Sequence, residues 1–328
     1  MQRTNSITDV PGIEVGQAQD DSALTGCTVI LCRKGAAAGV DVRGSAPGTR
    51  ETDLLDPINL VEKVHAIMLA GGSAFGLDAA GGVMKYLEEN KIGFNTGVAR
   101  VPIVPAAILF DLGIGRADVR PDAEMGYKAC LAASRAAPVE GNAGAGTGAS
   151  VGKLFGAALA MKSGIGSVSL EISGGIVVGA IAAVNAFGDV LEDGKIIAGL
   201  RSGKVGPLKI GGQDFFADTL AMMKNPVGRG VLNFATRANT VIGVAATNAA
   251  LTKTQAAKVA QMAHDGLARV IRPAHTMLDG DTIFALSTGA KKCDVTTIGA
   301  VAAEAMAQAI VRAVKMSASA GGLPGLNK

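Results

Sequence analysis

Histidine is scarce in this chain of 328 residues: His65, His264 and His275 are the only three. A Ser or Cys nucleophile ordinarily takes its base from a histidine, so acyl-transfer chemistry here needs another kind of base. Tryptophan is absent and aromatic residues make up 3% of the chain, while glycine contributes 45 residues and hydrophobic residues 48%. Such a core has to be built from small side chains packed closely across many tight turns. Charged residues are few as well, at 18% with a net charge of +3, and they form no basic block. That argues against a nucleic-acid partner and against an anionic membrane surface.

The four cysteines, Cys27, Cys32, Cys130 and Cys293, contain no CxxC pair, which favours reduced, packed thiols. The N-terminal MQRTNSITDVPGIEV lacks the apolar core of a secretory leader. The most apolar window, 174–188, is interrupted by glycines and Asn185 and is shorter than the ~20 residues of a membrane helix. A soluble cytoplasmic protein is expected. No H-E-x-x-H or Cys/His spacing is present, so neither a metal nor another cofactor is expected. His264, on a mixed helix face, and His275, after Pro273 at a helix end, read as ordinary residues.

Short β-branched runs at 27–32, 65–72, 166–172, 175–185, 240–248 and 281–288 predict buried strands. Helices are expected at 75–90, 123–136, 252–271 and about 296–316. The third opens on a Thr252/Gln255 capping box and carries an apolar stripe through Val259, Ala263 and Leu267. Strands with so little polar alternation are covered on both faces, which predicts a layered α/β architecture. Residues 202–239, without sustained periodicity, read as a long surface connection.

Four stretches carry possible chemistry. GNAGAGTGASVGK (141–153) fails the Walker pattern, since Thr147 stands where its first glycine should be and Leu154 follows the lysine. It reads as a Gly/Ala turn, or as a loop that delivers Lys153 into a cleft beside an anion pocket of backbone N–H groups. LAGGSAFGLDAAGG (69–82) reads as a packing turn. In HTMLDGDTIFALST (275–288), Asp279 and Asp281 flank Gly280 and project to one side of an extended chain. Taken alone this is a D-G turn, with divalent-metal binding as an alternative. In RANTVIGVAATNAAL (237–251), Asn239-Thr240 meets a buried run. Cleavage between them would free a Thr240 α-amine, with an ordinary pKa of about 7.7–8, to act as base for its own hydroxyl. The other reading is a strand-initiating Thr after an Asn turn.

Taken together, NTVIGVAATNAALT, the helix after it and HTMLDGDTIFALST resemble the self-cleaving L-aminopeptidase D-amidase/esterases, a family that includes β-aminopeptidases and the nylon-oligomer endo-amidase. GCTVILCRKGAAAGVDVRG, LAGGSAFGLDAAGGV and VNAFGDVLEDG extend the resemblance over nearly the whole chain. It implies an α-β-β-α-type sandwich shared with the ornithine acetyltransferases, and one catalytic domain cut into a large subunit 1–239 and a small subunit 240–328. It also implies that Thr240 is nucleophile and base, that Asp279 and Asp281 are its partners, that Lys153 offsets their charge, and that Asn185 serves the oxyanion. The processed protomers would form a homotetramer acting on a small or peptide-like amide.

Thr240 with Asp-Gly-Asp is closer to the nylon-oligomer branch than to the aminopeptidase branch with its Ser and Ser-Gly-Glu. Phe110 stands where a tyrosine is common, and bears on substrate binding. The alternatives are an aminopeptidase for D- or β-aminoacyl amides or esters, an acyl transferase, or an unprocessed, non-catalytic homologue.

Overall fold

The computed structural model describes residues 3–232 and 239–327. The main strands are β1 (Glu14–Asp20), β2 (Thr25–Val42), β3 (Val64–Ala70), β4 (Ala106–Ile108), β5 (Ile165–Ile172), β6 (Ile176–Asn185), β7 (Thr240–Ala249) and β8 (Thr282–Lys291). The main helices are α1 (Ala79–Glu89), α2 (Ala123–Leu131), α3 (Lys253–Val270) and α4 (Val295–Lys315).

Two sheets face one another, joined by the long strand β2. Its first half pairs with β1 and β3, while its second half pairs with β8, giving the path β5-β6-β7-β8-β2-β3-β4. Alternation along each strand sends successive side chains to opposite layers. Ile30, Ile67, Ile242, Val244 and Phe284 meet in the core between the sheets. On the outer face of one sheet, Val241, Ala245 and Ile283 pack against Val259, Leu267 and Met306 of α3 and α4. On the outer face of the other, Val29, Leu31 and Met68 pack against Ala80, Val83 and Cys130 of α1 and α2. The result is the expected α-β-β-α sandwich.

The small-residue composition sets how closely these layers approach. A Cβ built on Gly266 of α3 would lie 1.9 Å from the Ala303 carbonyl oxygen of α4, and one on Gly82 of α1 would lie 1.8 Å from the Ala123 oxygen beside α2. Side chains larger than hydrogen are excluded at both helix contacts. The α3 cap forms as its sequence predicts: Thr252 Oγ1 accepts from Gln255 N and Gln255 Oε1 accepts from Thr252 N. By length and hydropathy α4 could cross a membrane, but here its apolar face covers the sheet.

Three expectations need correction. Helix 75–90 begins as a 3-10 turn, Ser73–Asp78, before turning α-helical. Helix 123–136 stops at Leu131, although Asp122 caps its start by accepting from Met125 N at 2.9 Å. The connection 202–239 is not structureless: Gly203–Val205 pairs with Leu208–Ile210, and short helices span Thr219–Lys224 and Pro226–Leu232. Elements this short complete too few turns to show a period. Residues 233–238, the end of that connection, lie outside the described residues. The cysteines are free, with Cys27, Cys32 and Cys130 buried. Burial pushes the thiols of Cys32 and Cys130 up to about 12, which leaves them protonated and unreactive.

Gly266→Ala tests the close contact between α3 and α4. In an exposed helix this change would stabilise by up to about 1 kcal/mol. Here the overpacking should destabilise by roughly 1–3 kcal/mol, seen as a lower urea midpoint; a raised midpoint would contradict the packing described.

Candidate active site

Strand direction brings three distant segments to one edge of a sheet. β7 runs antiparallel to β6, with Thr240 opposite Asn185, so the start of one meets the end of the other. β7 runs parallel to β8, with Ile242 opposite Thr282, so the two starts lie side by side. Asn239 bridges to Asp279 just before them. Asn239, Thr240, Asp279, Asp281 and Asn185 are all buried.

The Thr240 hydroxyl donates to the Asn239 carbonyl oxygen. The same oxygen accepts from Gly280 N at 2.9 Å. The carbonyl that would be cut is therefore polarised by a backbone donor with the hydroxyl already against it. Gly280 is required at this point, since a Cβ there would lie 2.5 Å from the Ala46 carbonyl oxygen and 2.9 Å from Thr240 Oγ1.

The two carboxylates are held by different donors. Asp281 Oδ1 accepts from Val241 N at 2.8 Å, and its Oδ2 accepts from His275 N at 3.1 Å and lies 2.8 Å from His275 Nδ1. Asp279 Oδ1 accepts from Phe187 N at 3.2 Å, and its Oδ2 accepts from Thr276 N and Thr276 Oγ1. Burial, reinforced by the charge of Asp281, pushes Asp279 up to about 6. Lys153 Nζ donates to the Asn185 carbonyl at 2.8 Å. Burial pushes Lys153 down to about 7, opposed by Asp279 and Asp111. Asn185 Oδ1 accepts from Ser150 N, and its Nδ2 donates to the Phe110 carbonyl at 2.8 Å.

Asp111 escaped the sequence reading. It is 4% exposed, accepts from Gly72 N at 2.6 Å and from Thr25 Oγ1 at 2.8 Å, and is pushed up by burial. A Cβ on Gly71 would lie 2.0 Å from its Oδ2. The GGSAFG turn thus makes room for a buried carboxylate, a requirement written in the neighbouring glycines rather than around Asp111 itself. Phe110, Asp111, Ser150, Lys153, Ile114 and Leu323 line a pocket of about 210 Å³.

The 141–153 loop combines both of its readings. It packs tightly, and Lys162 Nζ donates to its Gly146 and Ala149 carbonyls, but it also places Lys153 in the pocket. Two of the N–H groups proposed to line an anion pocket instead donate inward, Gly144 N to Gln19 Oε1 and Ala145 N to Thr28 Oγ1. His275 is not ordinary either, because it contacts Asp281. Among the described residues no group of three or more His, Cys, Asp or Glu could hold a metal.

A profile of peptidase family S58 matches residues 5–327. The chain belongs to that family. An uncharacterized aminopeptidase of Mycobacterium tuberculosis (strain ATCC 25618 / H37Rv) is 44% identical, covering 98% of this chain and 96% of the relative. A 6-aminohexanoate-oligomer endohydrolase of Kocuria sp. (strain KY2) is 31% identical, covering 94% and 85%. The L-aminopeptidase D-Ala-esterase/amidase of Ochrobactrum anthropi, described as a variant of the Ntn hydrolase fold, superposes with a TM-score of 0.69 at 18% identity, covering 98% of this chain and 88% of that one. A Burkholderia sp. β-aminopeptidase gives 0.67 at 24%, covering 99% and 91%. This family member is an amide-bond hydrolase, and its fold is that of these neighbours.

Burial of Lys153 has a measurable consequence. Between about pH 7 and the ordinary lysine value of 10.5, the unfolded chain binds more protons than the folded one, so stability should rise with pH. Lys162, also pushed down to about 7 by burial, contributes in the same window. Lys153→Met should flatten part of the rise in urea midpoint across that window; an unchanged slope would put the ammonium in water.

Proposed function

We propose that this hydrolase activates itself by cutting its chain between Asn239 and Thr240, and then uses Thr240 as an N-terminal nucleophile. The observation that supports this most directly is the Asn239 carbonyl, which receives both the Thr240 hydroxyl and the Gly280 N–H. In the precursor, Thr240 Oγ attacks that carbonyl, aided by the network of Asp279, Asp281 and Lys153. The acyl group moves from nitrogen to oxygen, water hydrolyses the ester, and Asn239 leaves as a carboxylate. The products are a large subunit 1–239 and a small subunit 240–328 of one layered catalytic domain.

In the mature enzyme the Thr240 α-amine takes the hydroxyl proton as Oγ attacks a substrate amide, then returns it to the leaving amine. Asn185 and the Gly280 N–H stabilise the oxyanion, where removing one good donor typically costs about 2.7–4 kcal/mol. Asp279 and Asp281 fix the turn that faces Thr240, and Lys153 offsets their charge. Water then clears the acyl-enzyme.

The pocket beside Lys153 and Phe110 suits a short, slender chain. That fits an ω-amino-acid oligomer, in line with the 6-aminohexanoate-oligomer endohydrolase relatives. It also fits a D- or β-aminoacyl amide, a reading favoured by the aminopeptidase name of the 44% identical relatives. The protein would work in the reducing cytoplasm as a homotetramer of processed protomers. An ornithine-acetyltransferase-like transfer to an amine acceptor is the rival activity, and an uncut, inert chain is the non-enzymatic one.

Denaturing gels decide the central step. Wild-type protein should give two bands, and Thr240→Ala one full-length band with hydrolysis lost. Two bands from Thr240→Ala would rule out this nucleophile. Processed wild-type protein assayed on aminoacyl amides and internal-amide oligomers, with and without an amine acceptor, then separates exo- from endo-cleavage and hydrolysis from transfer.

A further inference from the structure

Behind Asp281 lies a pair of imidazoles that the mechanism above does not use. His275 and His264 meet edge to face with centroids 4.8 Å apart. His264, on α3, is 2% exposed, and its Nε2 lies 3.0 Å from the backbone carbonyl of Asp41 on β2. A carbonyl can only accept, so Nε2 carries the hydrogen of neutral His264. Its buried Nδ1 finds no hydrogen-bond partner among the described residues. Burial pushes His264 down and favours that neutral form. In that tautomer Nδ1 carries no hydrogen, so neutral His264 offers no donor to Asp281.

His275 has the opposite arrangement. Its Nδ1 meets Asp281 Oδ2 at 2.8 Å while its own N–H donates to the same oxygen at 3.1 Å. Two nitrogens of one residue thus close on one oxygen, leaving Asp281 Oδ1 for Val241 N beside Thr240. His275 adopts this shape at φ +55, a left-handed conformation that non-glycine residues seldom take. Asp281 is almost fully enclosed, whereas the His275 side chain is 22% exposed, so the imidazole is the group that joins this carboxylate to solvent.

We propose that His275 is a positioning residue for the reaction. It donates its Nδ1 proton to Asp281 and keeps that carboxylate aimed at the Val241 N–H. The charged and titratable groups around this contact are His264 from α3, Asp41 from β2, Asp279 from the same turn, and Lys153, which faces Asp279. The inference rests on Thr240 being the nucleophile, and the tests separate the two.

Neutral tautomers provide a readout that needs no activity. His65 Nδ1 accepts from Ile103 N at 3.2 Å, so His65 and His264 both carry hydrogen on Nε2, and His275 should be the single Nδ1–H tautomer of the three. Nitrogen NMR of histidine-labelled protein at alkaline pH should show one such ring, absent from His275→Asn. Three Nε2–H rings would overturn the proposal.

Kinetics provide the second test. His275→Gly keeps the backbone freedom and removes the imidazole donor. His275→Asn keeps an amide donor, in a residue that tolerates positive φ. In His275→Gly, kcat should fall about ten- to hundredfold, with KM little changed and chain cleavage still completed. His275→Asn should restore most of the kcat. A wild-type kcat in His275→Gly, with Thr240→Ala still uncut, would remove this role from His275 and leave the nucleophile standing.

Discussion

One backbone hydrogen bond, from Gly280 N–H to the Asn239 carbonyl, ties together the two segments on which the proposed chemistry depends. It exists because β7 and β8 are parallel neighbours whose starts lie at the same sheet edge. In a folded protein a neutral bond of this kind contributes only about 0.5–1.5 kcal/mol. Aimed at an oxygen that becomes negative, a single donor is worth about 2.7–4 kcal/mol. The difference comes from preorganisation: the turn is fixed before any charge develops. The loop after β2 adds to that rigidity, since Ala46 N donates to the Asp279 carbonyl and Arg43 N to that of Asp281.

Around this bond the protein buries more charge than its composition suggests. Asp111, Asp279 and Asp281 are each under 5% exposed, and Lys162 is fully enclosed. An isolated buried charge is very costly, so such groups survive through pairing and hydrogen bonds. The donors are mostly backbone: Gly72 for Asp111, Phe187 and Thr276 for Asp279, Val241 and His275 for Asp281. Desolvation still wins at Asp279 and Lys153, which move toward one another to about 6 and about 7. Shifts of this kind, from burial set against specific charge partners, are what a functional site commonly shows.

The layered fold was legible because fully buried strands read as continuous apolar runs and helices as stripes, and β5 to β8 fall where those runs stand. β1 left no such signal, because EVGQAQD is mostly polar and only partly buried, and β4 is three residues long. At the site, Thr240, Asp279 and Asp281 were readable as a junction and a D-G-D turn, while their meeting needed the strand register. Lys153 was visible only as the end of a glycine-rich loop. Asp111 and His275 were not legible, since each matters through a contact with a segment or turn that the residue's own surroundings do not specify.

Scarce aromatics and abundant glycine turn out to be one constraint seen twice. Gly71 and Gly148 admit Asp111, Gly280 admits Thr240, and Gly266 admits the backbone of α4; a Cβ at any of them would lie under 3 Å from a neighbouring atom. Backbone approaches of this kind let main-chain N–H groups reach carboxylates and the Asn239 carbonyl where a larger side chain would hold them apart. The same closeness rules out bulky rings in these contacts. With three histidines in the whole chain, two of them placed against each other behind Asp281, the donors that shape the site have to come from the backbone. The glycines are what bring that backbone within reach.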